Sequence, residues 1–421
     1  MKFNKSSQLL LVSAASLLVA GLMTACGTLT TDFVYVASSR AAGSNNYGEI
    51  DVFEINAVSG AMRQIPSSPF PSGGRNPVAE AVSSDYANLY VVNQDDNTIV
   101  QFMIGYDGKL YPQNTVNTPG IYPLAVAVSG TNLFVVDTYQ PLSTCSNSDP
   151  CPGSVGVFPL LPASGSGSTA TLSGAPGTPI INASTGKNYW PLILPAAPTD
   201  VIVPTAVNVL KSGAELYVTA YDASVTPNVG YVFGFAIAST GALTPLNSGV
   251  PHNMGVGNNG LGIHPSAIAS DPTSTYVYVT DATNGIVVSY SIASGALTKI
   301  SDTPTGNQPS AIVVDPAYPY AYVTNALDGN VEAYSITNGV LSFLGGSTTP
   351  VTYSAGMQPV AIGIDPSTNH FVFTANFLGS TVSDFELSAT AGTLINTQRS
   401  PYTSNAQPTA VAAVPHNSTQ K

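Results

Sequence analysis

The stretch "PSAIVVDPAYPYAYVTNALDGNVEAYSI", residues 309–336, contains most of one structural unit. A Pro-x-Ala-aliphatic strand runs through a short turn into an alternating strand, and an Asn/Asp/Gly turn leads into a third strand. Period-two alternation of β-branched and aromatic residues between turn formers is the pattern of strands, not helices. The unit recurs. Its opening proline stands at Pro77, Pro123, Pro204, Pro265, Pro309, Pro359 and Pro408, 44 to 50 residues apart wherever no insertion intervenes. Its second strand reads "FVYV", "LYVV", "LFVV", "LYVT", "YVYV", "YAYV" and "FVFT" in turn. Four strands per repeat at this spacing are a propeller blade, so the expected fold is all-β, a seven-bladed β-propeller over residues 32–415. "FVYV" at 33–36 has no Pro-x-Ala strand before it, and "QPTAVAAV" at 407–414 has no strand after it. The C-terminal strand is therefore expected to complete blade one and close the ring, removing two exposed edges.

The tetrapeptide YVTN stands at Tyr322–Asn325, and a near copy, YVTD, at Tyr278–Asp281. Through these motifs the chain resembles the YVTN-type, lactonase-like seven-bladed propellers of bacteria, a family that includes propeller-type 6-phosphogluconolactonases. The resemblance covers about residues 32–415. It implies a His and Arg residues just after the strand-one proline or its equivalent, and a Glu after the Asn that ends strand two. Such a cluster suits lactone opening, which develops an oxyanion and needs a positioned base for water. Here the post-proline residues are Val78, Leu124, Thr205, Ser266, Ser310, Val360 and Thr409, and Gln94, Ala282 and Ala326 follow the strand-two Asn or Asp. None carries the implied group, and Ser266 and Ser310 stand only as candidate ligand-binding hydroxyls at the mouth. The expectation is a binding or scaffold module; the alternative is a lactone hydrolase with a rearranged site. A third reading is a structural envelope protein with a neutral packing surface.

Propeller topology puts the strand one-to-two and three-to-four turns on one face, with short, similar sequences. The strand two-to-three loops and the blade connections lie on the other, the mouth, where variable loops on a rigid scaffold commonly carry function. Arg40, Arg75 and Arg399 are expected on mouth loops flanking blade one, where three guanidinium groups could bind an anion, with Glu80 as a partner carboxylate. Surface arginines are more often solvated singly. His252 and His264, in "PHNMGVGNNGLGIHP", could contribute a base or metal ligands, but no third ligand follows from the spacing. Residues 161–203 read as a Gly/Ser/Pro-rich insertion between blades three and four, mobile over 163–178 and docked over "NYWPLIL" (188–194). Trp190, the only tryptophan, could be a stacking platform, although burial preference favours packing on the rim. "NQDDN" at 93–97 fits a hairpin turn better than a calcium loop. The Gly-rich "MGVGNNGLG" at 254–262 precedes no helix that could bind phosphate. No motif calls for a cofactor or a metal.

The ends give the address. Lys2 and Lys5 precede "LLLVSAASLLVAGLMTAC", a charged start, a short apolar core and a small-residue exit, which together form a secretory signal over residues 1–25. A membrane span would need roughly 20 consecutive apolar residues. "LMTAC" resembles the bacterial lipobox, which implies acylation of Cys26, a short tether over 26–31 and, with Gly27 following, the outer membrane. Cys145 and Cys151 remain as an even pair in an oxidising compartment and read as a disulfide, worth about 2 kcal/mol on the loop-entropy argument. Residues 416–421 are a tail. The net charge is −12, and loss of Lys2 and Lys5 makes it −14. That excludes nucleic acid as the main partner and leaves the membrane to the lipid anchor. An unidentified small molecule or envelope protein remains as the partner, and a monomer is the expected state.

Overall fold

The structure, a computed structural model, describes residues 30–42, 46–143, 145, 150–164, 173–255, 257, 260–366 and 370–416. Cys26 lies outside them. Seven antiparallel sheets follow one another around a ring, each with its Pro-x-Ala strand innermost. Blade two is the plain case: Pro77–Val82, Asn88–Asn93, Thr98–Ile104 and Leu110–Asn117, paired in that order. In five blades the outermost strand is split into two short pieces, both paired with strand three. The C-terminal strand Pro408–Pro415 pairs with Thr30–Ala42, from Asp32 opposite Pro415 to Ser38 opposite Pro408. Blade one is thus built from both ends of the chain.

Stacked blades explain why strand two alternates in sequence yet is buried on both faces. Leu89 and Val91 face blade one with Phe33, Tyr35, Ile50 and Val52, while Tyr90 and Val92 face blade three with Leu133, Val135 and Phe158. The core is therefore a set of apolar layers between blades rather than one central cluster. Close approach at the mouth demands glycine: a Cβ at Gly48 would lie 2.2 Å from the Pro77 ring, and one at Gly153 would lie 2.5 Å from that of Pro204. Gly48 is the second residue of blade one's third strand and Gly153 immediately precedes that of blade three, and each lets the next blade's opening proline seat against it.

The segment 161–203 is only partly an insertion. Ala175–Pro176 and Trp190–Pro191 both pair with Ser154–Leu161 and form the split outer strand of blade three. Its elaborations also do not all face the mouth. Pro162 and Ser173 border a cavity with Ser83, Ser84, Gly130 and Thr131, which belong to the strand one-to-two turns on the opposite face. The part of the expected mobile stretch at 165–172 lies outside the described residues; Ser173 and Gly174 are held by Gln101 and Tyr90.

Candidate functional site

The mouth is built at the two ends of each inner hairpin. The opening proline of strand one sits opposite the Asn or Asp that ends strand two, as Pro77 does with Asn93 and Pro309 with Asn325. The residue before the proline then forms the lip. Its carbonyl accepts the next loop's amide, as in Gln94 to Asn76, Ala326 to Gln308 and Phe377 to Gln358. At five of these lip positions φ is positive: Asn76, Tyr122, Gln308, Gln358 and Gln407 lie between 53° and 61°. Such a conformation in non-glycine residues is costly and marks positions where side-chain placement matters more than backbone comfort.

The lip positions, not the post-proline ones, therefore present side chains at the mouth. Blades six, seven, one and two contribute amides: Gln308, Gln358, Gln407 and Asn76. Blades three and five contribute Tyr122 and His264. Two strand-two ends add Tyr139 and Tyr221, giving an arc of half-exposed rings. Tyr122 and Tyr139 meet edge to face at 6.1 Å between centroids, and Tyr221 and His264 lie 4.4 Å apart. Burial raises the pKa of the Tyr221 hydroxyl, and Tyr139 nearby raises it further. The mouth is thus half amide and half aromatic. The sequence signal was present in the repeated Gln-Pro pairs at 308, 358 and 407.

At the boundary of the two halves a cavity of about 570 Å³ is lined by Arg75, Gln94, Asp95, Tyr122, Thr138 and Tyr139. Its polar groups are pre-arranged. Arg75 Nε donates to Asp96 at 2.6 Å, its backbone N–H to the same carboxylate at 2.7 Å, and a terminal nitrogen to the Asp95 carbonyl at 3.2 Å. Burial alone would raise Asp96, but the hydrogen bonds and charge of Arg75 hold its pKa below the usual carboxylate range. Asn76 donates to Gln94 and Asp95, and Thr138 donates to the Tyr122 carbonyl at 2.7 Å. A second acidic group lies further round, where burial and then Asp200 raise the pKa of Asp222 against the Ser224 amide, which lowers it.

The arginine cluster does not form as expected. Arg75 is at the mouth but already paired, while Arg399 lies between Leu394–Asn396 and Tyr402–Thr403, in the break of blade seven's outer strand. That places Arg399 on the rim at mid-strand; it is exposed and makes no ion pair among the described residues. The side chain of Arg40 is not among those described. Glu80 is not at the mouth either: it lies three residues into strand one, between blades one and two.

Ser310 has a structural task. Its hydroxyl donates to the Pro359 carbonyl at 2.6 Å and lies 2.9 Å from the Thr324 hydroxyl. Ser266 does the same with Pro309 and Thr280, and Thr409 donates to Pro77 at 2.8 Å. These three post-proline hydroxyls each bond their inner strand to the next blade, at about 1 kcal/mol apiece. They are therefore staples of the ring and not ligand groups.

Trp190 is 2 % exposed, and its indole donates to the Leu243 carbonyl at 2.8 Å, so it packs and offers no stacking face. His252 stands apart from the lip on the outer strand of blade four, edge-on to Tyr290, with its pKa lowered by burial and by Lys299. His264 is at the lip, and burial lowers its pKa against its backbone and Asp281, which raise it. Among the described residues no group of three His, Cys, Asp or Glu side chains could hold a metal. Cys145 and Cys151 form the disulfide, with Cα atoms 5.5 Å apart, in a mouth loop.

The family model described as lactonase, 7-bladed beta-propeller, matches residues 192–416. No curated protein matches the chain significantly. Among solved structures, a putative 6-phosphogluconolactonase from Bacteroides uniformis is similar at 17% identity and a TM-score of 0.63, covering 91% of this chain and 100% of that one. The periplasmic gluconolactonase of Pseudomonas aeruginosa is similar at 18% identity and a TM-score of 0.64, covering 91% and 99%. At these identities the likeness speaks for the fold.

Proposed function

Because the chain belongs to the seven-bladed β-propeller lactonase family, we propose that its mouth binds a neutral, polyhydroxylated ring, a sugar or an unphosphorylated sugar lactone. The observation that carries this reading is the two-sided mouth. Amide side chains along one half suit hydroxyl groups, and the tyrosine arc along the other suits the apolar face of a pyranose. Charge argues against a phosphorylated ligand. Among the described residues of the cavity Arg75 is already neutralised by Asp96, and Asp95 adds a carboxylate. Calorimetric titration should show a neutral glucoside binding at least about tenfold more tightly than 6-phosphogluconate, and Tyr139→Ala should weaken it by about 1.4 kcal/mol or more. Equal affinity for both ligands would contradict the reading.

A second reading, lactone opening, is favoured by His264. Burial keeps its imidazole neutral near pH 7, so it can accept a proton from water at the lip. Hydrolysis of glucono-δ-lactone above the spontaneous rate, lost in His264→Ala with binding retained, would establish it. A rate equal to buffer would leave the module as a binder.

Lipid anchorage in the bacterial envelope is part of the same proposal. Thr30 opens blade one's second strand on the face of the one-to-two turns, so a tether from Cys26 would hold that face toward the membrane. The four residues from Cys26 to Thr30 span at most about 14 Å when extended. The mouth would then point away from the membrane. Radiolabelled palmitate incorporated into the wild type and absent from Cys26→Ser is the expected result; equal labelling would refute it.

A further inference from the structure

Three residues after the strand-one proline, six blades carry Val126, Val207, Ile268, Ile312, Ile362 and Val411. Blade two carries Glu80. The aliphatic members belong to, or pack against, the apolar layers between blades, and Val411 packs with Phe371 and Phe373 in this way. Glu80 thus places a carboxyl where the architecture asks for a hydrocarbon. Although the residue as a whole is half-buried, both carboxyl oxygens are shut off from solvent, and neither makes a hydrogen bond of good geometry. The one group that lowers its pKa is the Ala412 backbone amide, on the closing strand itself. An unpaired carboxylate in such a site is costly, whereas the protonated acid is tolerated.

Among the described residues the surroundings offer no counter-charge. The closing strand Pro408–Pro415 has no titratable side chain, and neither has Pro77–Val82 apart from Glu80. On blade one's second strand, Tyr35 faces Glu80 and donates its hydroxyl to the Gly108 carbonyl at 3.1 Å, and Asp32 stands near the strand's start. Beyond Tyr35 lies Asp107, paired with Lys109. On blade two's own second strand, Tyr90 turns toward blade three and donates to Gly174. Every charged neighbour in this set, apart from the paired lysine, is acidic.

We propose that Glu80 is a proton-operated latch on ring closure: protonated, it is housed between blades one and two; deprotonated, it leaves the seam and loosens the closing strand. The sign follows from linkage. Burial raises the closed-state pKa, whereas a carboxyl released to water has a pKa of about 4.3. Closure is therefore favoured fully below about pH 4.3 and weakens as pH rises toward the closed-state pKa, with opening growing up to about tenfold per pH unit in that window.

The test is amide hydrogen exchange of residues 408–415 in the full chain between about pH 5 and 8, corrected for the intrinsic pH dependence of exchange. Wild-type protection should fall by up to about tenfold per pH unit over part of that range, while Glu80→Gln and Glu80→Val stay flat. Glu80→Gln preserves shape, and Glu80→Val installs what other blades already accommodate, so a folding failure of one leaves the other as control. The same slope in both variants, or a flat wild type, would overturn the latch.

Discussion

A chain ending at Gln407 is expected to lose its cooperative melting transition and to elute as aggregate rather than monomer. The deletion removes the innermost strand of blade one and leaves one side of Thr30–Ala42 unpaired along the register from Asp32 to Ser38. It uncovers Val34, Tyr35 and Val36, all fully buried in the closed ring, and removes Val414, which is buried with them. It also removes the Thr409 bond to Pro77, the staple to blade two. Loss of these ladder bonds, at about 1 kcal/mol each, together with the apolar burial, is comparable to the whole stability of a typical domain, about 5–15 kcal/mol. The bare edge is then a template for pairing with another chain. Melting followed by circular dichroism, with size-exclusion chromatography, reads both effects. A truncated protein that melts cooperatively within a few degrees of the full chain would show that closure contributes little.

Trp190→Ala is expected to destabilise the protein by about 3–5 kcal/mol, the cost of emptying a large aromatic site. Trp190 packs in a layer with Val155, Leu192, Leu194, Phe233 and Phe235, which joins blade three to blade four. Its indole N–H also satisfies the Leu243 carbonyl, on a residue that is itself buried. Removing the ring therefore leaves both a cavity and an unpaired acceptor. Urea unfolding should show the lowered midpoint, with ligand affinity at the mouth unchanged in the folded protein. A loss below about 1 kcal/mol would mean that the docked segment contributes little packing.

The repeat made the fold legible because every blade buries both faces of its second strand, and that demand imposes the same alternation seven times. Ring closure was legible for a related reason: a blade lacking its inner strand near one end and a lone inner strand near the other have only one satisfied arrangement. The disulfide followed from a lone cysteine pair. The site was harder to read. Attention to the position after the proline led to Ser266 and Ser310, whose hydroxyls belong to the staples between blades. The mouth instead takes the residue before the proline, because a positive φ there turns the chain at the lip. Arg399 was misplaced because a break in an outer strand leaves little sequence pattern, and two-residue strands such as Ala175–Pro176 are similarly hidden. Glu80 was visible as the one acid among six aliphatic counterparts, but its burial between blades one and two needed coordinates.

The decisive observation is the location of a bound neutral glucoside in crystals of the protein. The ring should lie against Tyr122 and Tyr139, with its hydroxyls on Arg75, Gln94 and Asp95. A ring bound elsewhere, or no bound ring at concentrations that saturate the titration, would contradict the mouth as the ligand site.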